Sequence, residues 1–120
     1  MKLLRSFSYA FNGLKICFIS ETNFRIHILL TAVVIVLGFV FKISAAEWLT
    51  VILCIAFVTV MEMMNTAIEK LCDMVHKETH PAIKKVKDIA AGAVLLAAIS
   101  SVVIAANIFL PKIFIYIKSF

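Results

Sequence analysis

Three long apolar stretches limit what this chain can fold into. Residues 26–41 contain one histidine and no formal charge, residues 43–61 contain only Glu47, and residues 89–110 contain no charge over 22 positions. About 20 apolar residues are enough for a helix to cross a bilayer. With 63% hydrophobic residues, 16% charged residues and a mean hydropathy of +1.07, the 120-residue chain differs from ordinary soluble domains. The pattern predicts an all-α membrane protein with a single domain over residues 1–120.

We predict membrane helices over about residues 26–41, 45–72 and 88–115, and a surface helix over about residues 5–21. Apolar residues in the first segment recur at helical spacing, at Phe7, Phe11, Leu14 and Phe18. This spacing is typical of an amphipathic helix that lies on a membrane surface or against partner helices.

The basic residues are distributed unequally between the two ends of the predicted membrane helices. Nine of the 12 lie before the first apolar stretch or between the second and third, and three lie elsewhere. Loops rich in Lys and Arg stay on the cytoplasmic side, which places the N-terminus and the 70–88 loop there. The net charge of +5 then reflects topology and attraction to anionic lipid, so we expect no nucleic-acid partner.

Four polar residues share one face at the end of the second apolar stretch. Glu62, Asn65, Glu69 and Asp73 are separated by 3, 7 and 11 positions from the first of them, which places them within roughly 80° of helical arc. Ionisable residues within a membrane helix indicate a functional site by default. The same spacing also fits four solvated or paired side chains at a helix end.

The acids are suited to separate roles. Glu62 and Glu69 lie two helical turns apart, about 10.5 Å, which is too far to share a proton. One is suited to be a base and the other a ligand of Mg²⁺, which prefers hard oxygen donors and bridges substrate phosphates. Glu21, on the same side, either completes such a site or is a solvated acid beside Arg25. Because the chain has no P-loop and no dinucleotide fingerprint, a bound nucleotide would depend on acids, a metal and scattered basic residues.

A basic segment precedes the third apolar stretch. If a helix begins at Lys87 and Asp88, its free N–H groups favour phosphate. Asp88 also suits a simple helix N-cap. Lys84 and Lys85 fit solvated side chains, and His80 fits either a metal ligand or a solvated loop residue.

Small residues repeat every four positions in the third apolar stretch, at Ala93, Ala97, Ser101 and Ala105. A stripe of small side chains lets membrane helices approach one another closely. We therefore expect this face to pack against other helices, in the same subunit or in a neighbouring one.

The polar motifs, taken together, resemble one family. Glu62-Met-Met-Asn65-Thr-Ala-Ile-Glu69, then Asp73, Glu78-Thr-His80 and Lys87-Asp88-Ile-Ala-Ala-Gly, are similar to the prokaryotic diacylglycerol kinases, which include the undecaprenol kinases. Phe7-Ser-Tyr9-Ala-Phe-Asn-Gly13 and Glu21-Thr-Asn23-Phe-Arg25-Ile-His27 agree with the same family. The resemblance covers roughly residues 5–105. It implies a small trimeric lipid kinase of the bacterial cytoplasmic membrane, with ATP as phosphoryl donor and active sites between subunits.

The resemblance also implies roles for individual residues. Glu62 matches the general base with Asn65 beside it, and Glu21 and Glu69 match the acids that bind Mg²⁺. Positions that contact ATP correspond to Tyr9, Glu21, Glu69, Asp73, Glu78, His80, Lys87 and Asp88. Regions that line the lipid site correspond to Asn23, Arg25, His27, Trp48 and Glu62.

The prediction of the lipid acceptor rests on one residue at which this chain differs from part of the family. Proteobacterial diacylglycerol kinases carry Glu where this chain has His27, and the local pattern is more similar to the undecaprenol kinases of Gram-positive bacteria. We therefore expect undecaprenol to be converted to undecaprenyl phosphate, with diacylglycerol conversion to phosphatidic acid as the alternative. A non-catalytic membrane subunit or small transporter is a remote alternative, because a transporter has its ionisable residues near the midplane at a repeat interface.

Overall fold

The computed structural model describes residues 1–78 and 80–120, and this part of the chain forms four α-helices. Helix α1 spans Lys2–Ser20, α2 Thr22–Val40, α3 Ala45–Val75 and α4 Pro81–Lys118. Helices α2, α3 and α4 are each long and apolar enough to cross a membrane. The predicted all-α fold with three membrane helices is confirmed. The amphipathic character of α1 and the homotrimer stay predictions.

The helices are longer than the apolar stretches that predicted them. Helix α2 begins at Thr22 rather than near residue 26, α3 ends at Val75 rather than near 72, and α4 begins at Pro81 rather than near 88. Hydropathy marks only where lipid contact ends, whereas backbone hydrogen bonding and caps decide where a helix ends. At 31 and 38 residues, α3 and α4 are about 46 and 57 Å long. Both exceed the roughly 30 Å hydrocarbon core of a bilayer, so they extend beyond it.

A single extended residue separates α1 from α2. Glu21 has φ −117° and ψ 112°, which ends one helix and begins the next. The Arg25 guanidinium donates hydrogen bonds to the carbonyl oxygens of Phe18 and Ile19 at 2.9 and 2.8 Å, and to Thr22 Oγ1 at 3.1 Å. The last carbonyls of a helix lack partners within the helix, so this cation stabilises the end of α1.

At the opposite end, a tight turn joins α2 to α3. Lys42 has φ 51°, in the left-handed region, and Ser44 begins α3 with a capping box. In that box Glu47 Oε1 accepts from the Ser44 backbone N–H at 2.9 Å, and Ser44 Oγ accepts from the Glu47 N–H at 3.2 Å. Gly38 lets the Trp48 ring approach α2, since a Cβ at Gly38 would lie 2.5 Å from a ring carbon.

Helix α3 packs most extensively against α4. Their main buried apolar cluster lies near the α2–α3 turn and consists of Ile43, Val51, Ile108 and Phe109. We call this the turn end, and the other end, where α3 stops and α4 starts, the polar end. Large apolar side chains such as Leu53, Leu96 and Val102 remain exposed on the bundle surface. Lipid covers such a surface in a membrane protein, as the three apolar helices imply.

Candidate functional site

A histidine and a glutamate from different helices meet toward the polar end of the bundle. His27 Nε2 on α2 lies 2.8 Å from Glu62 Oε1 on α3. Glu62 is 6% exposed, which makes it one of the two polar residues that the described part of the chain buries, the other being Thr66. A buried carboxylate is costly unless it has a partner, and His27 provides one. The sequence predicted both residues for the site but did not predict this contact.

Two of the other polar residues on that face of α3, Asn65 and Glu69, form a second pair. Asn65 Nδ2 donates to Glu69 Oε1 at 3.2 Å, one helical turn apart. The other amide atom, Asn65 Oδ1, is buried and has no hydrogen-bond partner within residues 1–78 and 80–120. A buried acceptor without a donor indicates a position where a ligand or another polar group binds.

The end of α1 contacts α3 beside these pairs. The Cys17 thiol is buried near Thr66, which follows Glu62 by one turn on α3. Burial raises the pKa of this thiol, and the nearby Glu21 carboxylate raises the pKa further, while Lys70 opposes both effects. Glu21 lies between α1 and α2, four positions after Cys17.

Ion pairs link α3 to the start of α4. Lys87 Nζ lies 2.6 Å from Asp73 Oδ1 across the two helices, and Lys84 Nζ lies 2.6 Å from Asp88 Oδ2 within α4. The interpretation that a helix begins at Lys87 and Asp88 is wrong. Helix α4 begins at Pro81, where the His80 side chain caps it by accepting from the Ala82 N–H at 3.1 Å. Lys87 and Asp88 therefore lie in the second turn or beyond, and the free N–H groups belong to residues near Pro81.

Three further predicted nucleotide contacts, Tyr9, Glu78 and His80, are exposed. His76 Nδ1 lies 2.7 Å from the Glu78 carbonyl oxygen, and the rings of His76 and His80 are 5.3 Å apart. Tyr9 is exposed on α1. The connection between α3 and α4 thus carries Glu78 and His80 on the same end of the molecule as Asp73 and Lys87.

The structure does not bring two of the predicted lipid-site residues to the cluster. Trp48 precedes Glu62 by 14 positions on α3, about 21 Å along the axis, and packs against Phe39 at the turn end. The Arg25 guanidinium is occupied by the end of α1. Asn23 is exposed in the first turn of α2, and His27 is the member of this group that touches the Glu62 carboxylate.

A cavity of about 230 Å³ extends from His27 into the bundle between α2, α3 and α4. Its lining is mostly apolar and includes Val58, Ser101 and Ala105. Sequence analysis did not predict a cavity, although the small residues of α4 were a signal. Ala97 packs to 1% exposure as the stripe predicts, but the next members of the stripe line an open space instead.

Most of the chain matches the model of a known protein family. The model of the prokaryotic diacylglycerol kinases matches residues 8–109. The chain belongs to the prokaryotic diacylglycerol kinase family. It is 37% identical over 112 residues to an undecaprenol kinase of Bacillus subtilis, covering 93% of this chain and 91% of that protein. It is 38% identical over 112 residues to a diacylglycerol kinase of Synechocystis sp., covering 92% of this chain and 64% of that protein. A diacylglycerol kinase of Escherichia coli is 26% identical over 102 residues.

Family membership makes the chain a membrane lipid kinase, with ATP implied as the phosphoryl donor. Relatives that are named for different acceptors match at nearly equal identity, so identity alone does not resolve the lipid.

The acids fit a magnesium ion that is bound together with a nucleotide. The described residues contain no group of three or more His, Cys, Asp or Glu side chains that could hold a metal ion. Mg²⁺ in kinases needs only one or two carboxylates, because water and substrate phosphates complete its shell. Glu69, one oxygen of which accepts from Asn65, and Glu21 at the helix junction supply hard oxygen donors of this kind.

Proposed function

We propose that the chain transfers the γ-phosphoryl group of ATP to the hydroxyl of a membrane lipid alcohol, with undecaprenol preferred. The observation that carries the proposal is the buried Glu62 carboxylate, which lies between the apolar interior and the polar end of α3. A lipid hydroxyl at the edge of the hydrocarbon core would meet this carboxylate from the apolar side. The choice of acceptor is supported by length: the chain covers 91% of the Bacillus subtilis undecaprenol kinase but 64% of the Synechocystis diacylglycerol kinase.

In this mechanism Glu62 is the general base. Its carboxylate takes the proton of the lipid hydroxyl while the hydroxyl oxygen attacks the γ-phosphorus in line. The bond from phosphorus to the bridging oxygen breaks, ADP leaves, and the lipid phosphate forms. Phosphoryl transfer depends mainly on positioning and charge stabilisation, so a small number of side chains is sufficient.

The nucleotide is assigned to the polar end. Glu21 and Glu69 would hold Mg²⁺, which when bound neutralises charge on the β- and γ-phosphates. Asn65 orients Glu69 through its amide, and Lys87 brings positive charge beside Asp73. The remaining nucleotide contacts are assigned to Tyr9, Asp73, Glu78, His80 and Asp88.

Asn23 and His27 are assigned to the lipid side of the site. Arg25 stabilises the α1–α2 joint, and Trp48 packs at the turn end, so both act on the lipid indirectly. The polar end faces the cytoplasm in this proposal, because ATP is cytoplasmic and the excess of Lys and Arg lies on that side.

A homotrimer with α1 on the membrane surface completes the proposal. Phe7, Phe11 and Phe18 of α1 are about half exposed or more, and an apolar surface of that kind is suited to lipid or to a neighbouring subunit. The mass of the purified protein in detergent checks the assembly, and a functional monomer would contradict it.

The acceptor is tested with purified protein in mixed micelles and labelled ATP. Undecaprenol and diacylglycerol are offered separately at equal mole fraction, and the Glu62→Gln variant serves as the background control. We expect kcat/KM to be higher for undecaprenol. If diacylglycerol is phosphorylated at least as efficiently, the chain is a diacylglycerol kinase, as its Synechocystis relative is named.

A further inference from the structure

We infer that His27 is a positioning residue for the reaction, which holds the Glu62 carboxylate in the orientation that a base requires. The inference rests on the proposed function, because it takes Glu62 as the base. It gives His27, which the proposed function places on the lipid side of the site, a part in the chemical step. The observation behind it is the 2.8 Å approach of His27 Nε2 to Glu62 Oε1 between two helices.

The other polar groups near Glu62 are engaged elsewhere. Thr66 Oγ1, one turn further along α3, donates to the Glu62 carbonyl oxygen at 3.0 Å rather than to its carboxylate. Asn65 Nδ2 donates to Glu69. Within residues 1–78 and 80–120, His27 is therefore the polar side chain that contacts the carboxylate of Glu62.

The contact between His27 and Glu62 is strengthened by its partly buried surroundings. The Glu62 side chain is 8% exposed and the His27 side chain 26%, so water competes weakly for the carboxylate. Electrostatic interactions are stronger where water is excluded, and a base that rotates away from the hydroxyl loses its effect on rate. His27 also borders the mostly apolar cavity between α2, α3 and α4, a lining that offers water few hydrogen-bond partners.

The arrangement divides the two carboxylate oxygens between two tasks. Oε1 is held by the imidazole, and Oε2 is left for the proton of the acceptor hydroxyl. His27 is on α2 and the base Glu62 is on α3. The orientation of the base therefore depends on the relative position of these two helices. A side chain that only recognised lipid would not need to contact the base.

The test compares His27→Leu, His27→Gln and His27→Asn in mixed micelles, with undecaprenol and diacylglycerol each varied up to saturation. Leucine removes the contact, glutamine places a nitrogen near the position of Nε2, and asparagine is one bond too short. We expect kcat to fall about 10- to 100-fold in His27→Leu, which is less than the roughly 10²- to 10⁴-fold that general-base catalysis supplies, because the base itself remains. The KM values for both lipids should change little, and the ratio of kcat/KM between the lipids should be unchanged.

Two features separate positioning from a general structural role. Glutamine should restore most of kcat and asparagine little of it, and this comparison carries the test if His27→Leu does not fold. The matched control is Thr31→Val, one turn along α2, which lines the same cavity and should keep kcat within about twofold.

A double-mutant cycle with Glu62→Gln tests whether His27 acts through the base. If His27 acts through the base, His27→Leu should cause no further loss of the residual rate in the Glu62→Gln background. A full additional loss there, a change confined to KM, or an altered preference between lipids would overturn the inference. If Glu62→Gln alone keeps more than about a tenth of the wild-type rate, the base assignment fails first, and the proposed function with it.

Discussion

Helix α3 carries two glutamates whose surroundings differ. Glu47, in the first turn, accepts from the Ser44 backbone N–H at 2.9 Å and from Lys112 Nζ at 2.8 Å. Glu62, 15 positions later, is more deeply buried and contacts His27 alone among the described side chains. Both are acids in an apolar helix, but only the first has partners for both oxygens.

This difference separates a structural acid from one that is available for chemistry. Glu47 closes a capping box and bridges α3 to α4, so its hydrogen-bonding capacity is used within the fold. Next to Glu62 lies Asn65 Oδ1, a buried acceptor without a partner. Incomplete satisfaction of buried polar groups is typical of functional sites, because the missing partner is the ligand.

The largest effect is expected from Glu62→Gln. The amide is close in shape to the carboxylate but cannot take the hydroxyl proton, so turnover should fall about 10²- to 10⁴-fold. Glu47→Gln is the matched control and should keep the turnover of wild type per folded molecule. Phosphorylation of lipid by labelled ATP, normalised to folded protein, measures both. Equal losses of turnover in the two variants would contradict the assignment of different roles to the two glutamates.

The next effect concerns the metal. Glu69→Ala and Glu21→Ala should each raise the Mg²⁺ concentration for half-maximal activity by about tenfold or more, since even the loss of a residue that only supports a metal ligand has an effect of that size. The KM for lipid should change less. Titration with Mg²⁺ at saturating lipid measures this, with Glu47→Ala as the control. An unchanged Mg²⁺ requirement in both variants would place the metal elsewhere.

Gly38→Ala should damage the turn end without affecting the chemistry. The added Cβ would lie 2.5 and 2.8 Å from two Trp48 ring carbons, so the α2–α3 contact must shift at a cost of about 1–3 kcal/mol. The thermal midpoint in detergent should fall, while turnover of the folded fraction is retained. Gly92→Ala is the control, because a Cβ there meets nothing within 4 Å and alanine favours the helix. A lowered midpoint for Gly92→Ala and not for Gly38→Ala would contradict the packing argument.

The smallest effect is expected from the Glu47–Lys112 pair. Each side chain is 28% exposed, so solvent screens the pair and its contribution to stability is modest. Glu47→Gln and Lys112→Met should each lower the thermal midpoint slightly, and the double variant should lower it by less than the sum. Thermal unfolding of the three variants checks this. Additive losses would show that the two residues do not act as a pair.

The sequence by itself determined the helices and the face of α3 that carries the polar residues. Three long apolar stretches require helices because backbone groups must be satisfied internally in lipid. The spacing of Glu62, Asn65, Glu69 and Asp73 follows from helical geometry alone, and all four lie on α3. Family membership could likewise be predicted, since it rests on local motifs. These properties depend on residues that are near one another in the chain.

The tertiary structure decided which side chains meet. His27 and Glu62 are 35 positions apart, and their contact depends on how α2 and α3 are rotated about their own axes, which periodicity does not specify. A lone histidine in the stretch 26–41 was the signal, but its partner was not predictable from it. The same applies to Trp48 against Gly38 on the neighbouring helix, whereas the Arg25 contacts with the end of α1 and the His80 cap of α4 join residues that are close in sequence. Helix rotation and crossing arise from packing between elements, so the contacts between helices became visible only once the helices were assembled.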